Sequence, residues 1–525
     1  MDKTVSSQTT ASKKMPSSGL PVIEAKHIND KKIKLKADVV VVGSGAGGAV
    51  SAYELAKAGQ KVIVLEAGPY IPSNQFSEML AVGMGQLYQD QGGQSNTAKD
   101  FTILQGSCVG GSTVVNATVC FRTPDYYLKL WSKEYGTNNL TTESLTPYFE
   151  KVEKNLSIRR AVREEMSDDA NLLVDGCEKA NIPWKASRRN VRFCALTGAC
   201  LSGCVTDRKQ SMLVTYLPWA IAHGATVYSD TFVTRISEKN GQVTAVHAEI
   251  KDRESGIKKA DMEIEATKVI LAAGAIQSPL ILLRSQIANS SGQVGKNYAC
   301  HPSLSVTGYI PNLNQDFYGA WHSMYVDEFT LPEQGGYILL SGIQDPVEAT
   351  LNVDPGTGKP FMDHMLESKN LIRVITLIHD RNHGEVTWEN GVKKVKYEMH
   401  DKDFPHMIAA MKKAITVLFA AGATKIYLPT SNKTEINDPS EVDKVLDSLK
   451  NEPARYRYVS YHPQGTCRMG ANPKQSVVNP YGESHDVKGL YVADASLLPT
   501  SIGYNPQQTV YTLASYIADH IVNKS

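Results

Sequence analysis

Three glycines and one glutamate are the first residues of this chain whose types and spacing could do chemistry. Gly43, Gly45 and Gly48 stand in GSGAGG directly after the apolar run Val39 to Val42, and Glu66 follows 18 residues beyond Gly48. A strand that breaks into G-x-G-x-x-G and continues as a helix is a dinucleotide cradle. The first glycine makes the tight turn, the second lets backbone approach a pyrophosphate, and the third lets the helix pack closely on the strand. The helix start would turn unpaired N–H groups and the positive end of its dipole toward the phosphates. Glu66 closes the second apolar run, Lys61 to Leu65. There a carboxylate would accept from the adenosine ribose hydroxyls and disfavour a 2′-phosphate. The motif alone does not separate FAD from NAD.

Further polar groups stand at loops and element ends. Gln105 to Asn116, QGSCVGGSTVVN, is a second glycine-rich loop containing Gly110 and Gly111. In a flavoprotein it would lay backbone amides along the phosphates and ribityl chain, with Asn116 near the ring; otherwise it is a plain turn. Three cysteines, Cys194, Cys200 and Cys204, fall within CALTGACLSGC. Near the C-terminus, GLYVADAS reads as a strand closing on Asp494, whose carboxylate would meet ribityl or phosphate-proximal hydroxyls. SIGYNPQQT sets Asn505 and Pro506 at the start of a helix from Gln507 to about Val522, with proline at the first helical position. Placed there, Asn505 also qualifies as a helix cap.

The elements that must position these groups alternate in type. After the opening strand, helix and strand comes a charged helical stretch from Tyr126 to about Ala180. Residues 225–270 alternate apolar and polar positions around Asn240-Gly241 and Ser255-Gly256, which predicts antiparallel strands. Lys268 to Ala273 predicts a buried strand returning to the central sheet, and Gly274 to Leu283 begins a helix over the cofactor. Residues 301–455 read as a different unit, with β-rich runs such as Leu371 to His379 and an amphipathic helix from Pro405 to Ala421. The fold class expected is α/β: a Rossmann-type domain with an inserted α+β substrate domain built on an antiparallel sheet. The division expected is a disordered tail at 1–33, a cofactor-binding domain at 34–300 completed by 456–525, and a substrate-binding domain at 301–455.

Composition narrows the function classes. With 525 residues, 55 basic against 54 acidic side chains and a formal charge of +1, nothing favours nucleic acid as a partner. Eight cysteines in so long a chain are no disulfide scaffold, so a reducing cytoplasm is the default expectation. No run of 18 apolar residues predicts a transmembrane helix. The first 36 residues carry eight lysines against three acids. Without an amphipathic pattern, a solvated tail is favoured over a tether to a membrane surface or a partner.

Taken together, the motifs resemble the glucose–methanol–choline (GMC) oxidoreductase family, FAD enzymes that oxidise alcohols. The resemblance spans the chain: GSGAGG with Glu66, GSCVGGSTVVN, LAAGAIQSP at 271–279, VGKNYACHP at 294–302, HPQGTCRMG at 462–470 and DASLLPTSIGYNPQQT at 494–509. The C-terminal part looks most like the long-chain alcohol oxidase-like branch. Two stretches depart from the common pattern: Ser107, where Arg, Lys or Asn is frequent, and RSQI at 284–287.

The resemblance implies FAD as cofactor and a catalytic pair at His462 and Asn505. Oxidation by hydride transfer to flavin N5 requires the hydroxyl proton to leave, and a neutral imidazole with a pKa near the working pH suits that task. Asn505 would position the alcohol oxygen, and the helix after it would stabilise charge on the reduced flavin. The implied partners are a small-molecule alcohol and dioxygen or another electron acceptor. The same scaffold resembles hydroxynitrile lyases and fatty-acid photodecarboxylases, which remain the alternatives. The spacing C-x5-C-x3-C resembles the ligands of a three-iron cluster in bacterial FAD-dependent glucose dehydrogenases. Cys194, Cys200 and Cys204 are therefore candidates for a 3Fe-4S cluster relaying electrons onward.

Overall fold

In the computed structural model, which describes residues 19–353 and 358–524, the Val39–Val42 strand lies at the centre of a five-stranded parallel sheet. The order is Leu490–Val492, Lys268–Leu271, Val39–Val42, Val62–Leu65 and Thr226–Tyr228. All four residues of Val39–Val42 and of Val62–Leu65 are buried, as expected of parallel strands covered on both faces. The helix Ala46–Lys57 follows the glycine turn. A Cβ on Gly48 would lie 1.9 Å from the Gly43 carbonyl oxygen, so only glycine lets the helix sit this close to the strand end. The helix Gly274–Ser285 and the C-terminal helix Gln507–Lys524 lie where the sequence predicts them.

A second, four-stranded sheet orders Lys32–Lys36, Lys258–Glu265, Gln242–Lys251 and Thr231–Lys239. Its last three strands are antiparallel neighbours, as the alternation over 225–270 predicts. The largest sheet is antiparallel along its main path, with Ser303–Tyr309, Leu371–Ile378 and Tyr337–Ser341 at its middle. The helix Phe404–Ala420 buries Met407, Met411 and Ile415 in the same apolar cluster as Ile372 and Val374 of this sheet. Strands from outside 301–455 also join it: Lys185–Ala186 pairs with Met324–Val326, and Tyr458–Ser460 links Ser303–Tyr309 to Phe101–Ile103. The α/β architecture with a sheet-based second unit is therefore as expected.

The N-terminal expectation changes. Residues 1–18 of the anticipated tail lie outside the described residues, whereas 19–33 are part of the fold. Leu20, Val22, Ala25 and Ile28 are buried, and Ile23 bridges to Tyr228 at the edge of the central sheet. Lys32–Lys36 adds a parallel edge strand, its lysines exposed while Ile33 and Leu35 are half-buried. Lysine content suggests a solvated tail, but those apolar residues supply enough buried area to order the segment.

Candidate active site

The sheet ends, the glycine loops and the large antiparallel sheet enclose a cavity of about 470 Å³. Gly43, Gly45, Glu66, Gly111, Asn116, His462, Asp494 and Asn505 all line it, although they are spread over more than 460 positions of sequence. Gly48 and Gly110 do not. Gly48 packs helix on strand, and Gly110 donates its N–H to Ser44 Oγ at 2.9 Å, which joins the two glycine loops. A Cβ on Gly111, whose φ is +55°, would come within 2.8 Å of Gly45 Cα. Two glycine-rich backbones thus face one another with no side chain between them, a cradle shaped for a phosphate-bearing chain.

Glu66 is 8% exposed at the tip of its strand. Its Oε2 accepts from the N–H and the hydroxyl of Ser44, at 2.9 and 2.6 Å, and its Oε1 accepts from the N–H of Gly68 at 2.9 Å. Burial pushes the carboxyl upward while these donors favour the ionised form. Asp494 is committed differently. The N–H of Gly274 and the hydroxyl of Ser278 donate to Oδ2, and the N–H and hydroxyl of Ser496 donate to Oδ1. Four donors occupy the carboxylate, so it clamps the start of the Gly274–Ser285 helix to the strand ending at Val492.

His462 and Asn505 meet. Asn505 Nδ2 lies 3.2 Å from His462 Nε2, while Asn505 Oδ1 is buried with no hydrogen-bond partner. The Asn505 side chain is thus directed at the imidazole. Enclosure of His462 lowers its pKa to about 3, with the neighbouring His322 adding to the effect. Burial thus favours the neutral imidazole. Asn116 is held by Gln507: its Nδ2 donates to Gln507 Oε1 at 2.8 Å, and its Oδ1 accepts from the N–H of Thr118 at 3.0 Å.

Sequence reasoning missed the imidazoles around this pair. His301, fully buried, places Nδ1 3.3 Å from His462 Nδ1, and burial lowers the pKa of His322 and of His379 to about 4. His301 was visible only as part of the motif VGKNYACHP, without a role. Also missed was Lys209, 2% exposed, whose Nζ donates to the carbonyl oxygens of Val114, Asn116 (3.0 Å) and Cys200 (2.6 Å). Three acceptors match the three donors of an ammonium. This lysine ties the second glycine loop to the cysteine loop.

Two matches decide the family. GMC oxidoreductase family domains match residues 84–303 and 380–514, and an FAD-binding domain family matches 38–101. The long-chain-alcohol oxidase FAO3 of Arabidopsis thaliana is 30% identical over 93% of this chain and 68% of its own length. This chain belongs to the GMC oxidoreductase family. FAO4B of the same plant, also a long-chain-alcohol oxidase, is 28% identical over 99% of this chain and 72% of its own. Among solved structures, a formate oxidase of Aspergillus oryzae RIB40 shares the fold with a TM-score of 0.69 at 17% identity, covering 94% of this chain and 99% of its own.

A GMC oxidoreductase uses FAD and acts on CH–OH groups, and the paired glycine loops and Glu66 fit that cofactor. The iron–sulfur expectation does not hold: among the described residues no group of three or more His, Cys, Asp or Glu side chains is placed to bind a metal ion. The reason lies in what the sulfurs face. The Arg189 guanidinium points at Cys194 Sγ (3.9 Å) and Cys200 Sγ (3.7 Å), while Cys204 Sγ accepts from the Lys209 N–H at 3.4 Å and lies 3.4 Å from Thr206 Oγ1. Cationic and neutral donors thus already face these sulfurs. No helix among the described residues of this GMC oxidoreductase is long and apolar enough to cross a membrane.

Proposed function

We propose that this GMC oxidoreductase oxidises an apolar alcohol, with His462 receiving the hydroxyl proton and Asn505 orienting the alcohol oxygen. Bound FAD supplies the acceptor for the hydride, at N5. The observation that carries the reading is the contact between His462 Nε2 and Asn505 Nδ2 at 3.2 Å inside the cavity that the glycine loops and Glu66 also line. A neutral imidazole can accept a proton, and an amide can hold an oxygen as its charge develops. In the same reading Gly43, Gly45, Gly110 and Gly111 pass the backbone along the phosphates, Gly48 seats the helix behind them, Glu66 holds the ribose and Asn116 lies near the ring. Asp494 acts through the helix start it clamps.

Trp321, Leu340, Ile375 and Leu377 form an apolar wall on the large sheet side of the cavity. Such a wall favours an alkyl chain over a sugar, in keeping with relatives named long-chain-alcohol oxidases. Those names also support dioxygen as the electron acceptor. The division into a cofactor unit, 34–300 with 456–525, and a substrate unit, 301–455, belongs to this reading, as does a reducing compartment, supported by eight free cysteines. The lyase alternative would use the same His462 for acid–base chemistry without redox, but relatives named long-chain-alcohol oxidases favour alcohol oxidation over it and over the photodecarboxylase. The test is anaerobic: long-chain primary alcohols, sterols and sugars are each mixed with the FAD-loaded protein. Bleaching of the oxidised flavin by an apolar alcohol is expected, and a flavin that no alcohol reduces would reject the proposal.

A further inference from the structure

His301 lies behind His462, and its own partners dictate where the proton on His462 resides. The backbone N–H of Gly503 reaches His301 Nε2 at 3.1 Å, and the side-chain amide of Gln464 reaches the same atom at 3.1 Å. A backbone N–H only donates, so Nε2 of His301 is an acceptor. A buried, neutral His301 then carries its single ring proton on Nδ1, which points at His462 Nδ1 3.3 Å away. That nitrogen must accept. A neutral His462 is left with its proton on Nε2, facing Asn505. With the Asn505 amide turned, Oδ1 receives this N–H and Nδ2 takes the place that Oδ1 held.

The backbone around His301 is built to hold this aim. His301 has φ +50°, a left-handed conformation uncommon for a residue with a side chain. The Asp380 carboxylate holds it there, accepting the N–H groups of Cys300 and His301 at 2.9 and 3.0 Å. The hydroxyls of Tyr397 (2.8 Å) and Ser501 (3.1 Å) hold that carboxylate in turn.

We propose that His301 sets the tautomer of His462, so that the resting imidazole shows the cavity an N–H at Nε2 and can accept an alcohol proton there only after its hydrogen bond to His301 is broken. The change is proton-neutral: Nε2 releases its proton to solvent and Nδ1 takes one up, after which Nε2 has a free lone pair. The kinetic meaning rests on His462 being the proton acceptor; the tautomer itself does not. His301 is a positioning residue that makes the competent form of His462 a minor one, and such a population lowers the observed rate by the fraction that is competent.

The experiment uses FAD-loaded protein labelled with 15N at histidine, oxidised and without substrate. The ring signals of His462 are assigned by their loss in His462→Gln. The expected spectrum has His462 protonated at Nε2 and bare at Nδ1. In His301→Leu the share of the Nδ1–H form should rise about threefold to tenfold, the weight of one hydrogen bond. His301→Asn provides a second variant if the leucine disrupts folding. A parent protein with His462 protonated at Nδ1, or a tautomer ratio unmoved by either substitution, would overturn the proposal. A parent spectrum as expected, in a protein whose flavin no alcohol bleaches, would uphold the tautomer and reject only the proton-acceptor reading.

Discussion

Glu66 accepts both the N–H and the hydroxyl of Ser44, so the carboxylate at the tip of the second strand grips the glycine turn that follows the first. One side chain thereby serves two ends, bracing the phosphate turn while lining the cavity where a ribose would lie. Glu66→Ala should weaken FAD binding by about 1.5–3 kcal/mol, the worth of hydrogen bonds to a charged group. Fluorescence titration of apoprotein with FAD checks this. An affinity equal to the parent's would mean that the ribose lies elsewhere.

Removing the imidazole separates chemistry from cofactor binding. His462→Ala should keep its FAD and lose about 10²- to 10⁴-fold in the rate of flavin reduction by alcohol, the range for a lost general base. Asn505→Ala should lose less. Stopped-flow mixing without oxygen measures both, and a His462→Ala enzyme reduced as fast as the parent would discard the assignment.

Buried neutral imidazoles make the fold sensitive to acid. His322 and His379 have pKa values lowered to about 4 and His462 to about 3, against about 6.5 in an unfolded chain. Between about pH 6.5 and 4 the unfolded chain binds protons at these sites and the native protein does not, so stability falls as pH drops through that window. Asp380, raised to about 6 by burial, works in the opposite sense, as do the carboxyls of Glu66, Asp169 and Asp494, which burial also pushes up, while the lowered pKa of His301 adds to the three imidazoles. Urea midpoints at pH 7 and pH 5 should therefore differ in the parent, and the difference should shrink in His322→Asn. An equal difference in the variant would show that His322 is not held neutral.

The Lys209 ammonium donates to the carbonyl oxygens of Val114, Asn116 and Cys200. Lys209→Met would leave one buried and two part-buried carbonyl oxygens without it, at a cost of about 2 kcal/mol. Because Asn116 borders the cavity, the same variant should also retain FAD less well. Urea unfolding and the flavin content after gel filtration test the two effects. A variant as stable as the parent would mean that water takes the place of the ammonium.

The cysteine loop should work without metal. Protein prepared without air is expected to contain far less than one iron per chain, and Cys200→Ser should reduce its flavin at close to the parent rate. Stoichiometric iron would restore the cluster reading.

What the sequence by itself determined is what neighbouring residues decide together. The passage from Val39–Val42 through three glycines to the helix Ala46–Lys57 is local, because turn geometry and apolar period act over a few residues. Glu66 was legible for the same reason, being one short strand further on. Lysine density, another local signal, misled at residues 19–33, where Leu20, Val22 and Ile28 find a surface that composition cannot reveal. The spacing of Cys194, Cys200 and Cys204 suggested a metal, but Arg189 comes between two of the sulfurs, and only folding brings it there. His301, Gly503 and Asp380 become neighbours of His462 because strands of the large sheet and the C-terminal loops converge on one cavity. The aim of a buried imidazole depends on donors and acceptors many positions away in the chain. Tertiary structure alone decided what each nitrogen of His462 faces.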